Sequence, residues 1–218
     1  MQGKQLAVKK ILQKIRRNTN DYGFLPMLGK SASYLLKPFY ENKTYRIYVI
    51  NLAKRPLPPP QDSPFSFKLI EAGDEQCIGQ IEAMEEWLQE RVAQMLAKGV
   101  LCLVALDGVT VAGFNLVSLQ EGDLPLVHYK KKLRPTEAWS EQITVNKDYR
   151  GKKLASILRA RMFQLLKNRG IKKFFGGAQV SNIASLNLAR KVGFTEIADI
   201  QYRKLLSRKR WVMTRFRG

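Results

Sequence analysis

The chain has 218 residues, a mass of 25.0 kDa and 45% apolar residues, which is enough for one substantial packed core and too apolar for a disordered chain. Its formal net charge is +20, so its field attracts anionic rather than cationic partners. No apolar run is long enough for a membrane-spanning helix, the N-terminus lacks the apolar block of a secretory signal, and Cys77 and Cys102 are too scattered for a disulfide framework or a metal motif.

The charge is uneven. Residues 1–60 carry 12 Lys/Arg against 2 Asp/Glu, residues 61–125 carry 3 against 11, and residues 126–218 carry 23 against 5. The basic excess therefore sits at both ends, around an acidic middle. Cysteine usage and the missing signal point to a reducing, cytoplasmic setting, with no metal expected.

In chain order, residues 4–17 predict a short basic amphipathic helix, with Leu6, Val8, Ile11, Leu12 and Ile15 largely on one face. Two readings stand for it: peripheral contact with an anionic membrane, at the inner surface, or docking on its own domain or on a dimer mate. Residues 24–37 are a second helix candidate, and Thr44–Ile50 alternates like a strand. Pro56, Pro58, Pro59 and Pro60 form a stiff stretch that divides the chain into a basic N-terminal extension (1–60) and a main domain (61–218). Phe65–Ile70 predicts a strand, and residues 74–98 predict two helical segments. The acidic run Glu82, Glu85, Glu86 and Glu90 reads as a solvated face. Asp107-Gly108 between apolar runs predicts a hairpin of Leu101–Leu106 with Val109–Leu119. Residues 120–134 read as a long polar, basic connection reaching over the next strand. The last elements are a hairpin, 196–206 with 210–216, turning at 207–210.

The chain is organised around residues 137–194. Ala138–Val145 predicts a strand, residues 146–153 a basic Gly-containing turn, and Leu154, Ile157, Leu158, Met162, Leu165 and Leu166 a helix. A second strand and helix follow. A strand feeding a basic turn at a helix start suits phosphates, because the first helical N–H groups lack partners and the helix dipole favours an anion there. Arg150, Lys152 and Lys153 add charged donors.

This stretch resembles the acyl-CoA signature of the GCN5-related N-acetyltransferases (GNAT), a turn of the form Arg/Gln-x-x-Gly-x-Gly/Ala preceded by Val-x-Pro-x-Tyr. Val145, Tyr149, Arg150, Gly151 and Ala155 fit, whereas Lys147 stands for the usual Pro and Lys153 for the usual middle Gly. Asn182, Ser185, Leu188, Lys191, Gly193 and Phe194 are similar to the second cofactor element of that family, with Ala189 where a Tyr is usual. The resemblance covers roughly residues 65 to 218. It implies an α/β (α+β) fold with a mixed, mostly antiparallel central sheet flanked by helices. It also implies an acyl-CoA-dependent N-acyltransferase that uses acetyl-CoA or another acyl-CoA as co-substrate.

By the same resemblance, the backbone of Ile143, Thr144 and Val145 would pair with the pantetheine arm. The segment Arg150, Gly151, Lys152, Lys153, Leu154 and Ala155 would wrap the pyrophosphate, and Asn182 and Ser185 would complete the cofactor site. Asn182 can equally act as a helix N-cap. Direct transfer needs a base and no protein nucleophile. Glu141, one step before the cofactor segment, is the candidate base; alternation puts it on the face of Trp139, Ile143 and Val145. Glu137 and His128 are alternatives. With Ala189 at the Tyr position, Tyr202, Tyr149 or Tyr129 would supply the general acid, unless the thiolate leaves unaided.

Two functions are consistent with these residues. The first is acyl transfer to an amine on a small molecule or protein, with an anionic acceptor suggested by the basic field. The second is a GNAT-fold binding module that uses its basic surface for nucleic acid or membrane, although no nucleic-acid motif is present.

Overall fold

The computed structural model describes residues 40–54 and 63–216. The predicted helices at 4–17 and 24–37 and the proline-rich stretch lie outside the described residues. The described strands are β1 (Tyr40–Asn51), β2 (Ser66–Ile70), β3 (Leu101–Asp107), β4 (Thr110–Ser118), β5 (Glu121–Leu124), β6 (Tyr129–Lys132), β7 (Glu137–Val145), β8 (Lys173–Gln179), β9 (Thr195–Leu205) and β10 (Arg208–Arg215). The helices are α1 (Glu75–Met84), α2 (Val92–Ala97), α3 (Leu154–Asn168) and α4 (Ile183–Lys191). None is long and apolar enough to cross a membrane.

The main sheet has eight strands in the order β2-β3-β4-β7-β8-β1-β9-β10, with antiparallel pairing of β2 to β3, β3 to β4, β4 to β7, and β1 to β8. β7 and β8 run parallel. This is the mixed, mostly antiparallel α+β architecture expected from the sequence.

Each face has its own core. On one, Leu154, Leu158, Met162 and Leu166 of α3 pack with Val117, Ala138 and Phe174. On the other, Ile78, Ile81, Leu88 and Val92 pack with Cys102, Val104, Phe114 and Leu116. Each such side chain contributes about 1.5–3 kcal/mol when fully buried, so the helical stripes set which way each helix lies on the sheet.

The described residues fall into two compact units, 44–201 with 213–216, and 40–43 with 202–212. The smaller contains the outer part of the β9–β10 hairpin, where Tyr202 stacks at 5.3 Å on Trp211 and Leu206 takes φ 54° at the turn. The turn therefore comes at Leu206 and Ser207, and β10 starts at Arg208, two residues earlier than predicted.

Two further differences matter for the site. The strand read as part of the N-terminal extension is β1. Its register runs from Tyr45↔Gln179 to Asn51↔Lys173 along β8, so this strand is part of the main sheet. Arg46 fixes β1 to the β9 side with two 2.8 Å bonds to Asp199 and one of 2.6 Å to Glu196. The predicted connection at 120–134 is also ordered, as the two-stranded β5–β6 hairpin. Its facing residues are oppositely charged, Asp123 opposite Lys130 and Glu121 opposite Lys132, and Gly122 lies against the Trp139 ring, so it has no apolar alternation to read.

Candidate active site

The site begins where two parallel strands part. β7 and β8 pair through four residues, from Glu137↔Lys173 to Ser140↔Gly176. Beyond that, β7 continues to Val145 paired only with β4, and β8 continues to Gln179 paired with β1. One edge of β7 from Glu141 onward is thus left without a neighbouring strand, and such an edge can accept an extended ligand by backbone hydrogen bonds. A cavity of about 510 Å³ occupies the opening. Ile143, Thr144, Val145, Arg150, Ala155, Asn182 and Ser185 of the predicted cofactor set all line it.

The basic turn supplies the cavity's cationic end. Gly151 takes φ 82° and Lys153 φ 58°, both left-handed. A left-handed residue favours Gly, so Lys153 holds a conformation in which a side chain costs about 1–2 kcal/mol. Arg150 Nε donates to the Val145 carbonyl at 3.4 Å, and Lys152 Nζ lies 5.2 Å from the Tyr149 ring centre. The N–H groups of Leu154 and Ala155 make no hydrogen bond among the described residues, as the first turn of a helix requires. Gly151, Lys152, Lys153 and Leu154 shape the turn without lining the cavity, and Leu154 is buried in the α3 core. At the other helix, Asn182 Oδ1 accepts from Ser185 N at 3.1 Å, so Asn182 caps α4 and faces the cavity at once. Gly151→Ala is expected to cost about 1–2 kcal/mol from the backbone alone, because the added methyl meets open space. A thermal melt would read this as a drop of a few degrees.

Glu141, the candidate base, lines the cavity, with other neighbours than strand alternation gives it. The β4–β7 register passes from Leu116↔Gln142 to Val117↔Ser140, which leaves Glu141 as an extra residue in a β-bulge. The bulge breaks the alternation. Ile143 and Val145 pack on the α3 core, whereas Gln142 and Thr144 turn to Glu85, which accepts from Thr144 Oγ1 at 2.8 Å and Gln142 Nε2 at 3.3 Å. Glu141 does not share a face with Ile143 and Val145. Burial, with the charges of Asp123 and Glu121 on β5, pushes its carboxyl up to about 7. Such a group is half ionised near neutrality, as a general base requires.

The alternative bases are placed elsewhere. Burial would raise Glu137, but a 2.6 Å bond from Lys131 and the Arg134 N–H outweigh it and hold Glu137 below the usual carboxylate range. His128 is an exposed residue at φ 51° that does not line the cavity. The tyrosine expectation also changes. Tyr202 belongs to the other unit, Tyr149 donates to Asp107 Oδ2 at 3.1 Å, and Tyr129 packs 6.1 Å from Trp139; none lines the cavity. Tyr48 of β1 does. It stands opposite Gly176, its ring 4.8 Å from Phe194, and Ala189 lines the same cavity. Burial raises its phenol above the ordinary value and the nearby Arg159 charge opposes this. Its hydroxyl has no hydrogen-bond partner among the described residues. The sequence signal for Tyr48 is faint: the adjacent Gly176 and Gly177 leave room for a large residue on the next strand, but only the pairing shows which one.

Arg159 is the other residue that sequence reading missed. It is 3% exposed, lines the cavity, and donates to Ser140 Oγ at 3.0 Å and Asn115 Oδ1 at 3.4 Å. Burial pulls its guanidinium down to about 10, still charged at neutral pH. Cys77 and Cys102 are buried and line no part of the cavity. Among the described residues no cluster of three His, Cys, Asp or Glu could hold a metal ion.

Comparison with known proteins agrees with this geometry. No curated protein matches the sequence closely enough to assign a relative. Among solved structures, a GCN5-related N-acetyltransferase from Sphaerobacter thermophilus shares 17% identity at a TM-score of 0.54, covering 81% of this chain and 56% of its own. A tandem GNAT protein from the clavulanic acid biosynthesis pathway shares 15% at 0.54, over 86% of this chain and 58% of its own. A GCN5-related glucosamine N-acetyltransferase region of a fungal multi-domain β-N-acetylglucosaminidase shares 14% at 0.59, over 80% of this chain and 22% of its own. This chain thus spans about half the length of the first and second of these, and such distant likenesses establish the fold alone. The sequence profile of the Acetyltransferase (GNAT) family matches residues 64–194, more than half of the chain and all of the cavity's walls except β1, and the chain belongs to that family.

Proposed function

We propose that this chain transfers an acyl group from acyl-CoA to an amine by direct attack of the amine on the thioester. The observation that carries this reading is the unpaired edge of β7 opening beside the N-terminus of α3, with Glu141 at its root. In this reading the β7 edge at Ile143, Thr144 and Val145 takes the pantetheine amides. Arg150 and the free N–H groups at the start of α3 take the pyrophosphate, and Asn182 and Ser185 close the other side.

The amine reaches the bulge as an ammonium, and its neighbours suit that charge. Glu85 and Glu141 line the wall, with Asp123 and Glu121 close to Glu141. This wall gives no support to an anionic acceptor and favours an amine whose own surroundings are neutral or cationic. Glu141 takes the proton, directly or through a water. The Tyr48 hydroxyl is the tyrosine available for the departing sulfur.

Calorimetric titration with acetyl-CoA tests the cofactor half of this reading. Saturable binding is expected, and the double variant Arg150→Ala/Lys152→Ala is expected to weaken it by about 10- to 100-fold, the worth of one or two charge-assisted phosphate contacts. Absence of saturable binding to any CoA species would overturn the reading. So would a double variant that binds as well as the native chain.

A further inference from the structure

The reading above leaves a buried cation unused. Arg159 sits at the deep end of the cavity, where β7 and β8 part, beside Ser140 and over the rings of Phe174 and Phe194 at 5.2 and 5.9 Å. Its hydrogen-bond partners are the neutral oxygens of Ser140 and Asn115, and none of the ion pairs among the described residues includes it. Arg159 Nε and Asn115 Nδ2 are both buried without an acceptor. Of these two residues only Arg159 lines the cavity, and its buried positive charge without a counter-ion is costly until an anion enters there. Two aromatic faces relieve part of that cost and supply no acceptor.

The charges of the site are sorted across the sheet. Ser140, Ile143 and Val145 face α3, and Arg159 is on that side. Gln142 and Thr144 face Glu85 on the other, and Glu141 lies near Asp123 and Glu121. An ammonium acceptor belongs with the carboxylates. An anion on the Arg159 side therefore belongs to the group that the cofactor brings in. α3 makes the same connection, because its first turn would hold the pyrophosphate and Arg159 lies one turn beyond Ala155 on the same helix.

From this we infer that Arg159, backed by Asn115 and Ser140, binds a terminal carboxylate on the acyl chain, so that the donor is a dicarboxylic acyl-CoA of the malonyl or succinyl class. The inference rests on the acyl-CoA reading and narrows it. The reaction balances without a further reactant. One ammonium proton passes to Glu141 and on to solvent, the freed amine nitrogen forms a bond to the thioester carbonyl carbon, and as the carbon–sulfur bond breaks the nitrogen gives up its second proton, to solvent or to restore the one that Tyr48 lends. CoA leaves as thiolate or takes a proton from Tyr48. The distal carboxylate is unchanged, held by Arg159 throughout.

The test compares acetyl-CoA, succinyl-CoA, malonyl-CoA and free CoA by calorimetry on the intact chain. At least one dicarboxylic thioester is expected to bind about tenfold or more tighter than acetyl-CoA, the worth of a charge-assisted pair. In Arg159→Met that ratio is expected to fall to about one, and Arg159→Lys is expected to keep part of it. Equal affinities for acetyl-CoA and both dicarboxylic thioesters on the native chain would overturn the inference while leaving the CoA reading intact. A preference that survives in Arg159→Met would also overturn it. Failure to bind any CoA species would remove both. The native chain decides the matter even if Arg159→Met does not fold.

Discussion

Glu141→Gln is expected to make the protein more stable above pH 7 while lowering its turnover by about 100-fold or more, the usual worth of a general base. Both effects come from one displaced carboxyl. Burial first, then the charges of Asp123 and Glu121, raise Glu141 from the ordinary 4.5 to about 7 in the fold. Lys130, 3.6 Å from Asp123 and 4.0 Å from Glu121, is largely exposed and offsets little of this. Between those two pH values the unfolded chain has released the proton that the folded chain keeps. The folded state therefore binds more protons, and stability falls as pH rises through the window. Above about pH 7 the penalty is complete, and on the order of 3 kcal/mol is its upper limit. Glutamine fills the same space uncharged, so the variant should melt several degrees higher than the native chain at pH 8 and alike at pH 4. The native turnover should rise with pH through an apparent value near 7, and the variant should lack that limb. A variant that melts like the native chain at pH 8 would show that burial does not penalise the Glu141 charge, and one that keeps the limb would show that Glu141 is not the base.

Much of this site could be read from the sequence because it is local. The turn from Asn146 to Lys153 and the start of α4 at Asn182 sit within one β-α-β-α stretch, and each residue's place follows from its distance to a helix N-terminus. Non-local pairing hid the rest. Tyr48 reaches the cavity only because β1 lies beside β8, more than 120 residues later in the chain. The bulge at Glu141 is a single-residue slip, invisible in the strand's pattern, and it turns every later side chain over. The β5–β6 hairpin sets charged residues opposite one another and one glycine against an indole, so its polar sequence reads as loop. Arg159 did leave a signal. It falls on the buried stripe of α3, between Leu158 and Met162, where a charge has no solvent to reach.

That glycine carries the second large effect. A methyl on Gly122 would run into Trp139 Cδ2 and lie 2.5 Å from Cε3 and 2.6 Å from Cγ. Trp139 is 1% exposed and cannot swing aside, so the hairpin must move instead. Gly122→Ala is therefore expected to cost about 2–3 kcal/mol, near the upper end for overpacking at a close-packed contact. The displacement also has a chemical consequence, because Asp123 and Glu121 flank Gly122 and help to hold Glu141 near 7. Moving them away, and admitting water behind them, should let Glu141 titrate closer to its ordinary range. In a chemical denaturation series the variant should unfold earlier with an unchanged slope, and the acid limb of its turnover should move to lower pH. A variant that loses stability with the limb unmoved would show that burial alone sets Glu141, with the hairpin carboxylates contributing nothing to it. A variant as stable as the native chain would mean that the hairpin does not rest on Trp139 at all.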